Sequence, residues 1–282
     1  LNPANRVAVA LGLDNTTATL EQLQKLEGWI GLAEIRLDLM DEFDLEQLIT
    51  RSPCPLVVTC RAPREGGSFI GTESERLEIL SAASALGCAY VDIEWDCVSN
   101  FRNYGESTKV IVSRHFHDSM PGDLWTQYGE MRRQADVVKL VGFARQTLDT
   151  LPIIELIVKA DSPVIAIAMG AAGLITRLIA PCFDSCLLTY AAANPEAGTA
   201  PGQIGVHEMI NHFGVDRAGS DTPIEVHLYC DPRKESAAME ICRGDGALLH
   251  VPARVDRGHI GLLRGALEGL TPRISVSLFE TD

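Results

Sequence analysis

Ala135-Asp136-Val137-Val138-Lys139-Leu140-Val141 is a seven-residue run with five apolar positions and a lysine near its centre. Its length and its valines favour a short buried strand. The chain has only five lysines, at 25, 109, 139, 159 and 234. The other four have polar or turn-forming neighbours that let their heads reach water. Lys139 has valines before it and Leu140-Val141 after it. Desolvation in such a run favours the neutral amine, a nucleophile whose usual targets are ketones and aldehydes, captured as a Schiff base. The plain alternative is a lysine at a strand end, snorkelling to solvent or paired with Asp136. The rest of the chain decides between them.

Outward from this run, strand-like segments recur at Val7–Leu11, Ala33–Leu39, Leu56–Cys60, Tyr90–Ile93, Val110–Ser113, Val137–Val141, Val164–Met169 and Cys186–Tyr190. Helical patterns lie between them: Thr16–Leu26, Glu73–Leu86, Asp123–Gln134, Thr147–Lys159 and Gly173–Ile179. Strand–helix alternation implies parallel pairing with helical crossovers. Eight such units in about 200 residues predict a (β/α)8 barrel of the TIM type, not an open sheet. No GxGxxG opens a helix, which removes the main sign of a dinucleotide fold.

The composition narrows the function classes. Net charge is −14, from 24 basic and 38 acidic residues. That disfavours nucleic acid or an anionic membrane as partner, while a few arginines in a cleft still allow an anionic substrate. No apolar run approaches the roughly 18–20 residues of a membrane span, and no signal peptide is visible. The eight cysteines include no CxxC pair. This usage predicts free thiols in a reducing cytoplasm. A zinc site would require residues distant in sequence to converge, and none is expected. The chain opens on Leu1, as a trimmed chain or fragment would.

In a (β/α)8 barrel the chemistry sits at the C-terminal ends of the strands. In Ala33-Glu34-Ile35-Arg36-Leu37-Asp38, the period of two places Glu34, Arg36 and Asp38 on one face. If the apolar face meets the helices, the charged face points into the barrel, as a ligand site or as an internal ion pair. The third strand ends in Thr59-Cys60-Arg61, ahead of Glu65-Gly66-Gly67, a pair of glycines able to turn back over the site. Arg61 is positioned for an anion or hydroxyl. The fourth strand ends in Asp92-Ile93-Glu94. The fifth ends in Ser113-Arg114-His115, where a histidine beside a carboxylate and a lysine suits acid–base work. After the seventh strand, a Gly-rich turn leads to Thr176-Arg177, and Arg177 could hold a carboxylate bidentately. Thr199 and Gln203 follow the eighth.

This ordered set resembles the type I 3-dehydroquinate dehydratases of the shikimate pathway, over roughly residues 5 to 213. The resemblance rests on Glu34-Ile35-Arg36-Leu37-Asp38, Thr59-Cys60-Arg61, Glu65-Gly66-Gly67, Asp92-Ile93-Glu94, Ser113-Arg114-His115, Val137-Val138-Lys139, Met169-Gly170 through Thr176-Arg177, and Ala200-Pro201-Gly202-Gln203. It implies dehydration of 3-dehydroquinate to 3-dehydroshikimate with no metal and no cofactor. Lys139 would form the imine, His115 would move the proton, and Glu94 would orient His115. Arg177 would bind the substrate carboxylate, with Glu34, Arg36, Arg61, Thr199 and Gln203 holding the rest of the substrate. Thr199 and Thr176 stand where the family usually has Ser. Dimers are common among such enzymes, so the resemblance allows a homodimer.

Residues 214–222 read as a linker, and 223–282 as a small α/β unit. Its expected strands are Glu225–Tyr229, Ala247–Val251 and Arg273–Leu278, and its helices Lys234–Cys242 and His259–Glu268. The unit weakly resembles the start of the substrate-binding domain of shikimate dehydrogenase. The Ser-x-Ser motif of that family is reduced to Ser236, and its lysine is absent before the chain ends at Phe279-Glu280-Thr281-Asp282. No dehydrogenase activity is therefore expected. This tail motivates a second reading, a silent sensor or scaffold built from shikimate-pathway domains; a class I aldolase is a third.

Overall fold

The structure, a computed structural model, describes residues 5–194, 198–244 and 247–279; Glu280, Thr281 and Asp282 lie outside it. Eight parallel strands make the first sheet: β1 (Val7–Leu11), β2 (Leu32–Arg36), β3 (Leu56–Thr59), β4 (Tyr90–Glu94), β5 (Lys109–His115), β6 (Val137–Phe143), β7 (Val164–Met169) and β8 (Thr189–Ala191). Their order is β7-β6-β5-β4-β3-β2-β1-β8. The remaining seam is closed just ahead of β8, where Cys186 bridges Val164 in parallel and Leu187 donates to the Val164 carbonyl at 2.9 Å. The expected barrel is thus present. Around it run α1 (Thr16–Lys25), α2 (Leu45–Arg51), α3 (Glu73–Ala85), α4 (Leu124–Met131), α5 (Leu151–Lys159), α6 (Leu174–Ile179) and α7 (Val206–Asn211). Between β4 and β5 there is a single 3-10 turn, Val98–Asn100, in place of a helix.

The two-residue period of the strands sorts the core into two layers. On β6, Val138 and Leu140 pack outward with Leu80, Ile153 and Leu156 in the layer between strands and helices. Val137 and Val141 point inward, joining Ala8, Leu32, Val57, Tyr90, Ile111 and Ile165 in the barrel interior. Lys139 shares their parity, so it too points inward. The apolar interior is interrupted by buried polar residues: Glu34, Thr59, Asp92, Glu94, Ser113 and Lys139. A barrel interior is a packed core; a charged layer inside it requires mutual compensation.

Two expected strands shift, and one helix is added. The second strand stops at Arg36, and Leu37–Leu39 form a 3-10 turn. Asp38 causes this: its carboxylate accepts from the backbone N–H groups of Arg61 and Ser68, each at 3.0 Å, which pulls the chain out of extended geometry. The eighth strand is shorter than expected because Cys186 makes one isolated bridge before β8 begins at Thr189. Helix α2 is not among the helices expected from sequence; Asp44 caps it by accepting from Gln47 N at 2.9 Å. Helix α3 begins on a capping box, Thr72 with Glu75.

Residues 214–222 connect the barrel to a second sheet. Val215, Ala218 and Thr222 are buried, so the connection is packed. The second sheet holds β9 (Ile224–Tyr229), β10 (Leu249–Arg254) and β11 (Ile274–Leu278) in the parallel order β10-β9-β11, with α8 (Glu235–Ile241) and α9 (Ile260–Leu270) as crossovers. Ile224, Val226, Leu228, Leu263 and Leu267 join the outer core layer of the barrel. Polar ties reinforce the join: Thr147 Oγ1 donates to the Arg254 carbonyl, and Arg273 donates to the Cys182 carbonyl at 2.9 Å. Among the described residues no helix is long and apolar enough to cross a membrane.

Candidate active site

Inward residues of β1, β2, β5, β6, β7 and β8, with the loops beyond the strands, line a cavity of about 280 Å³. It lies at the C-terminal ends of the strands and is lined by Lys139, His115, Arg177 and Glu65, among others. At its floor, Lys139 Nζ is 2.8 Å from Asp92 Oδ2 and 3.3 Å from Glu34 Oε2. It also lies 3.4 Å from the Tyr190 hydroxyl. Its sequence neighbours are apolar, but they point elsewhere or sit below; the ammonium meets two carboxylates. Neither the strand-end lysine nor a pairing with Asp136 survives, since Asp136 accepts from Val110 N instead.

Each of these carboxylates is held in turn. Thr59 Oγ1 donates to Glu34 at 2.7 Å. Arg61 Nη2 meets Asp92 at 2.8 Å, and Ser113 Oγ donates to Asp92 at 2.5 Å. Burial pushes Glu34 up, and the Lys139 and Arg36 charges together with the Tyr190 hydrogen bond outweigh it, so Glu34 stays below its ordinary value. Burial is likewise outweighed at Asp92, by the charges of Arg61 and Lys139, which hold it well below the carboxylate range. Burial and the Glu34 charge keep the Tyr190 hydroxyl protonated, far above its ordinary value.

Above this layer, His115 Nδ1 is 2.9 Å from Glu65 Oε2. This corrects the expected partner of His115. Glu94 pairs in register with Ser113 across β4 and β5. His115 is two residues further along, roughly 6–7 Å nearer the mouth. The Glu94 carboxylate is engaged below: it accepts from Ala62 N at 3.0 Å and pairs with Arg76 at 2.6 Å and Arg61 at 3.2 Å. The carboxylate that reaches His115 comes from the loop after β3. There Pro63–Glu65 form a 3-10 turn ended by Gly66 in the left-handed region, φ +77°. A Cβ on Gly66 would lie 2.7 Å from the His117 ring, so glycine allows both the turn and the approach. Burial raises Glu65 to about 7, helped by the nearby charges of Glu94 and Asp92 and opposed by Arg61. Burial, then the charges of Arg61 and Lys139, push His115 well below its ordinary value. The imidazole is therefore neutral at neutral pH and able to accept a proton.

The cations of the site differ in one respect. Arg36 grips Asp38 with two hydrogen bonds, at 2.9 and 2.8 Å. Arg61 is committed to Asp92 and Glu94, which leaves its fork less free for a ligand than its position in sequence suggests. Arg177 is 1 % exposed and has no carboxylate partner among the described ion pairs. Its Nη1 donates to the Tyr190 carbonyl at 3.3 Å, and its Nε has no partner. Burial without a counter-charge lowers it to about 10, so it remains charged at neutral pH. A buried, unpaired guanidinium lining a cavity is arranged for an anion. At the rim, Gln203 Oε1 accepts from Thr199 N at 2.8 Å and Ala200 N at 3.2 Å, which folds the last loop over the cavity.

Of the residues expected from sequence, Lys139, His115, Glu34, Arg36, Arg61, Arg177, Thr199 and Gln203 line the one cavity; Glu94 braces it from behind. Sequence reasoning passed over Glu65, Asp92, Tyr190 and His117 as site residues. Asp92 was legible, since it shares the parity of Glu94. Glu65 was marked only by the two glycines after it.

Residues 7–219 match the family model described as type I 3-dehydroquinase. A 3-dehydroquinate dehydratase of Methanococcus maripaludis is 31% identical over 204 residues, covering 70% of this chain and 93% of that protein. The chloroplastic bifunctional 3-dehydroquinate dehydratase/shikimate dehydrogenase of Arabidopsis thaliana is 32% identical over 205 residues, 68% of this chain; the matched part spans about a third, 34%, of that longer protein. Among solved structures, the dehydroquinate dehydratase and shikimate dehydrogenase from S. pombe superposes with a TM-score of 0.62 at 21% identity, covering 98% of this chain and 57% of that one. That likeness is one of fold, and it extends through the second sheet.

Proposed function

The chain belongs to the type I 3-dehydroquinase family, and from its site we propose that it dehydrates 3-dehydroquinate to 3-dehydroshikimate through an imine on Lys139. One observation carries the reading: a lysine, a neutral histidine and an arginine with no carboxylate partner among the described ion pairs line one cavity of the barrel. Arg177 takes the substrate carboxylate. Lys139 gives up a proton to one of the carboxylates beside it, and its amine adds to the C3 ketone. Loss of water leaves a protonated imine, whose positive charge Asp92 and Glu34 offset. The imine draws electrons from the C2–H bond. His115 takes that proton through Nε2, while its Nδ1–H donates to ionised Glu65, the orienting role of a triad carboxylate. The enamine then expels the C1 hydroxyl, and the imidazolium returns its proton to the leaving oxygen, so water departs. Hydrolysis of the imine restores Lys139 and the product ketone. Arg36, Thr199 and Gln203 hold the substrate hydroxyls in the reactive pose.

The test is borohydride reduction in the presence of 3-dehydroquinate, followed by intact mass and peptide mapping. An adduct on the peptide bearing Lys139, absent without substrate, is the expected result. Turnover of substrate with no trapped adduct would overturn the imine; no turnover and no adduct in folded protein would favour the silent sensor.

A further inference from the structure

We propose that the second sheet carries a binding site for a divalent first-row transition ion of the zinc class, formed by Glu225, His227 and His250. Nothing in the dehydration chemistry uses these residues. On β9 the even-numbered residues Ile224, Val226 and Leu228 are buried in the core. Glu225 and His227 therefore face the other side of the sheet, where their side chains are 31 % and 14 % exposed. His250 stands on β10 directly in register with Glu225. Three ligating atoms from residues up to 25 positions apart are thus set by strand pairing, a rigid support.

The distances suit one ion. His227 Nε2 lies 2.8 Å from His250 Nδ1 and 3.8 Å from Glu225 Oε2. His250 Nδ1 lies 3.5 Å from the same oxygen. Ligands at about 2.0–2.1 Å from a tetrahedral ion are about 3.3–3.4 Å from one another. The three separations straddle that value, so movements of about half an ångström complete the set. Orientation is also provided. On β11, Ser277 pairs in register with His227, and its Oγ is 2.9 Å from His227 Nδ1. A hydroxyl that accepts from Nδ1–H leaves Nε2 bare and aimed at the cluster, the arrangement by which an outer partner fixes a ligating imidazole. His250 then needs only to carry its proton on Nε2 in place of Nδ1. Two imidazoles and a carboxylate leave the remaining coordination positions to water, and this donor set suits zinc, nickel, copper or iron(II) more than calcium or magnesium.

The experiment uses the full chain, stripped with a chelator and titrated with zinc chloride by calorimetry, with zinc X-ray absorption on the loaded protein. One equivalent per chain, ligated by two imidazoles and oxygen, is expected. His250→Ala and His227→Ala should each weaken binding at least tenfold. Ser277→Ala should weaken it about 10–100-fold with the stoichiometry kept. Far-ultraviolet circular dichroism of each variant guards against misfolding, and the wild-type absorption spectrum stands without any variant. No binding, binding by cysteine thiolates, or binding indifferent to both histidine substitutions would overturn the site.

Discussion

Glu65→Gln separates the observed partner of His115 from the one the sequence suggested. The change keeps shape and removes a charge 2.9 Å from the imidazole. At an effective dielectric of about 20, two unit charges at that distance interact by about 6 kcal/mol. A neutral amide still hydrogen-bonds, so the transition-state loss should be about 4–5 kcal/mol, or roughly 10³–10⁴-fold in kcat. The pH profile adds a sign. Glu65 titrates at about 7. Below that it is protonated and donates to His115 Nδ1, which puts the imidazole proton on Nε2, the wrong nitrogen for a base. Wild-type kcat should therefore fall on the acid side of pH 7, and the variant should lose that limb. Stability moves the opposite way. A carboxyl raised from 4.5 to about 7 makes folding less favourable as pH rises from 4.5 to 7, by up to about 3 kcal/mol once both values are passed. Glu65→Gln should thus melt higher than wild type at pH 8 while turning over far more slowly. The assay is the product's conjugated-enone absorbance across pH 5.5–9, beside thermal melts. A kcat within threefold of wild type at pH 8 would refute the pairing.

Lys139→Met should lower turnover by more than about 10⁴-fold and abolish the borohydride adduct. Because Asp92 and Glu34 lose their shared cation, it should also cost about 3–5 kcal/mol in urea unfolding. Arg177→Met should raise KM for 3-dehydroquinate about 10²–10³-fold without lowering the melting temperature, since it removes a buried cation that has no carboxylate partner among the described ion pairs. Glu94→Gln should act mainly on stability. It leaves Arg61 and Arg76 short of a buried carboxylate at a cost of about 3 kcal/mol or more, while the pH limb near 7 remains. Gly66→Ala, forced to adopt φ +77° against the His117 ring, should cost about 1–3 kcal/mol and lower kcat by about tenfold as Glu65 is displaced.

The fold was legible because one period explains it. In Val137–Val141, alternation sends Val138 and Leu140 to the helices and Val137, Lys139 and Val141 inward, and the same holds for Glu34 against Ile35 and for Asp92 against Ile93. What local pattern could not give was any boundary set from far away. Asp38 continues the alternation of β2, yet the strand stops before it because its partners are backbone groups of Arg61 and Ser68. The cluster of Glu225, His227 and His250 was invisible for the same reason: strand pairing, not spacing in sequence, brings His250 beside Glu225.

The misassigned partner of His115 follows from depth. Strand residues fix height in the barrel as well as facing. Lys139 is level with Ser113, and so is Glu94, which places a cation, a hydroxyl and a carboxylate in one band. At that height Glu94 braces Arg61, Arg76 and the Ala62 N–H. The base must stand higher, above an imine on Lys139 and beside the C2 proton of the substrate. A carboxylate able to serve it there must come from a loop, because β4 has already ended at Glu94. The loop after β3 is tied down at both ends: Arg61 N and Ser68 N are both held by Asp38. Glu65 is therefore presented from a clamped turn. Its burial, which makes ionisation difficult, follows from facing into the cavity. Burial likewise leaves the Arg177 guanidinium in surroundings of low dielectric, which strengthens its hold on a carboxylate. The raised carboxyl and the unpaired guanidinium are two results of one geometry, a charged layer capped by a short fixed loop.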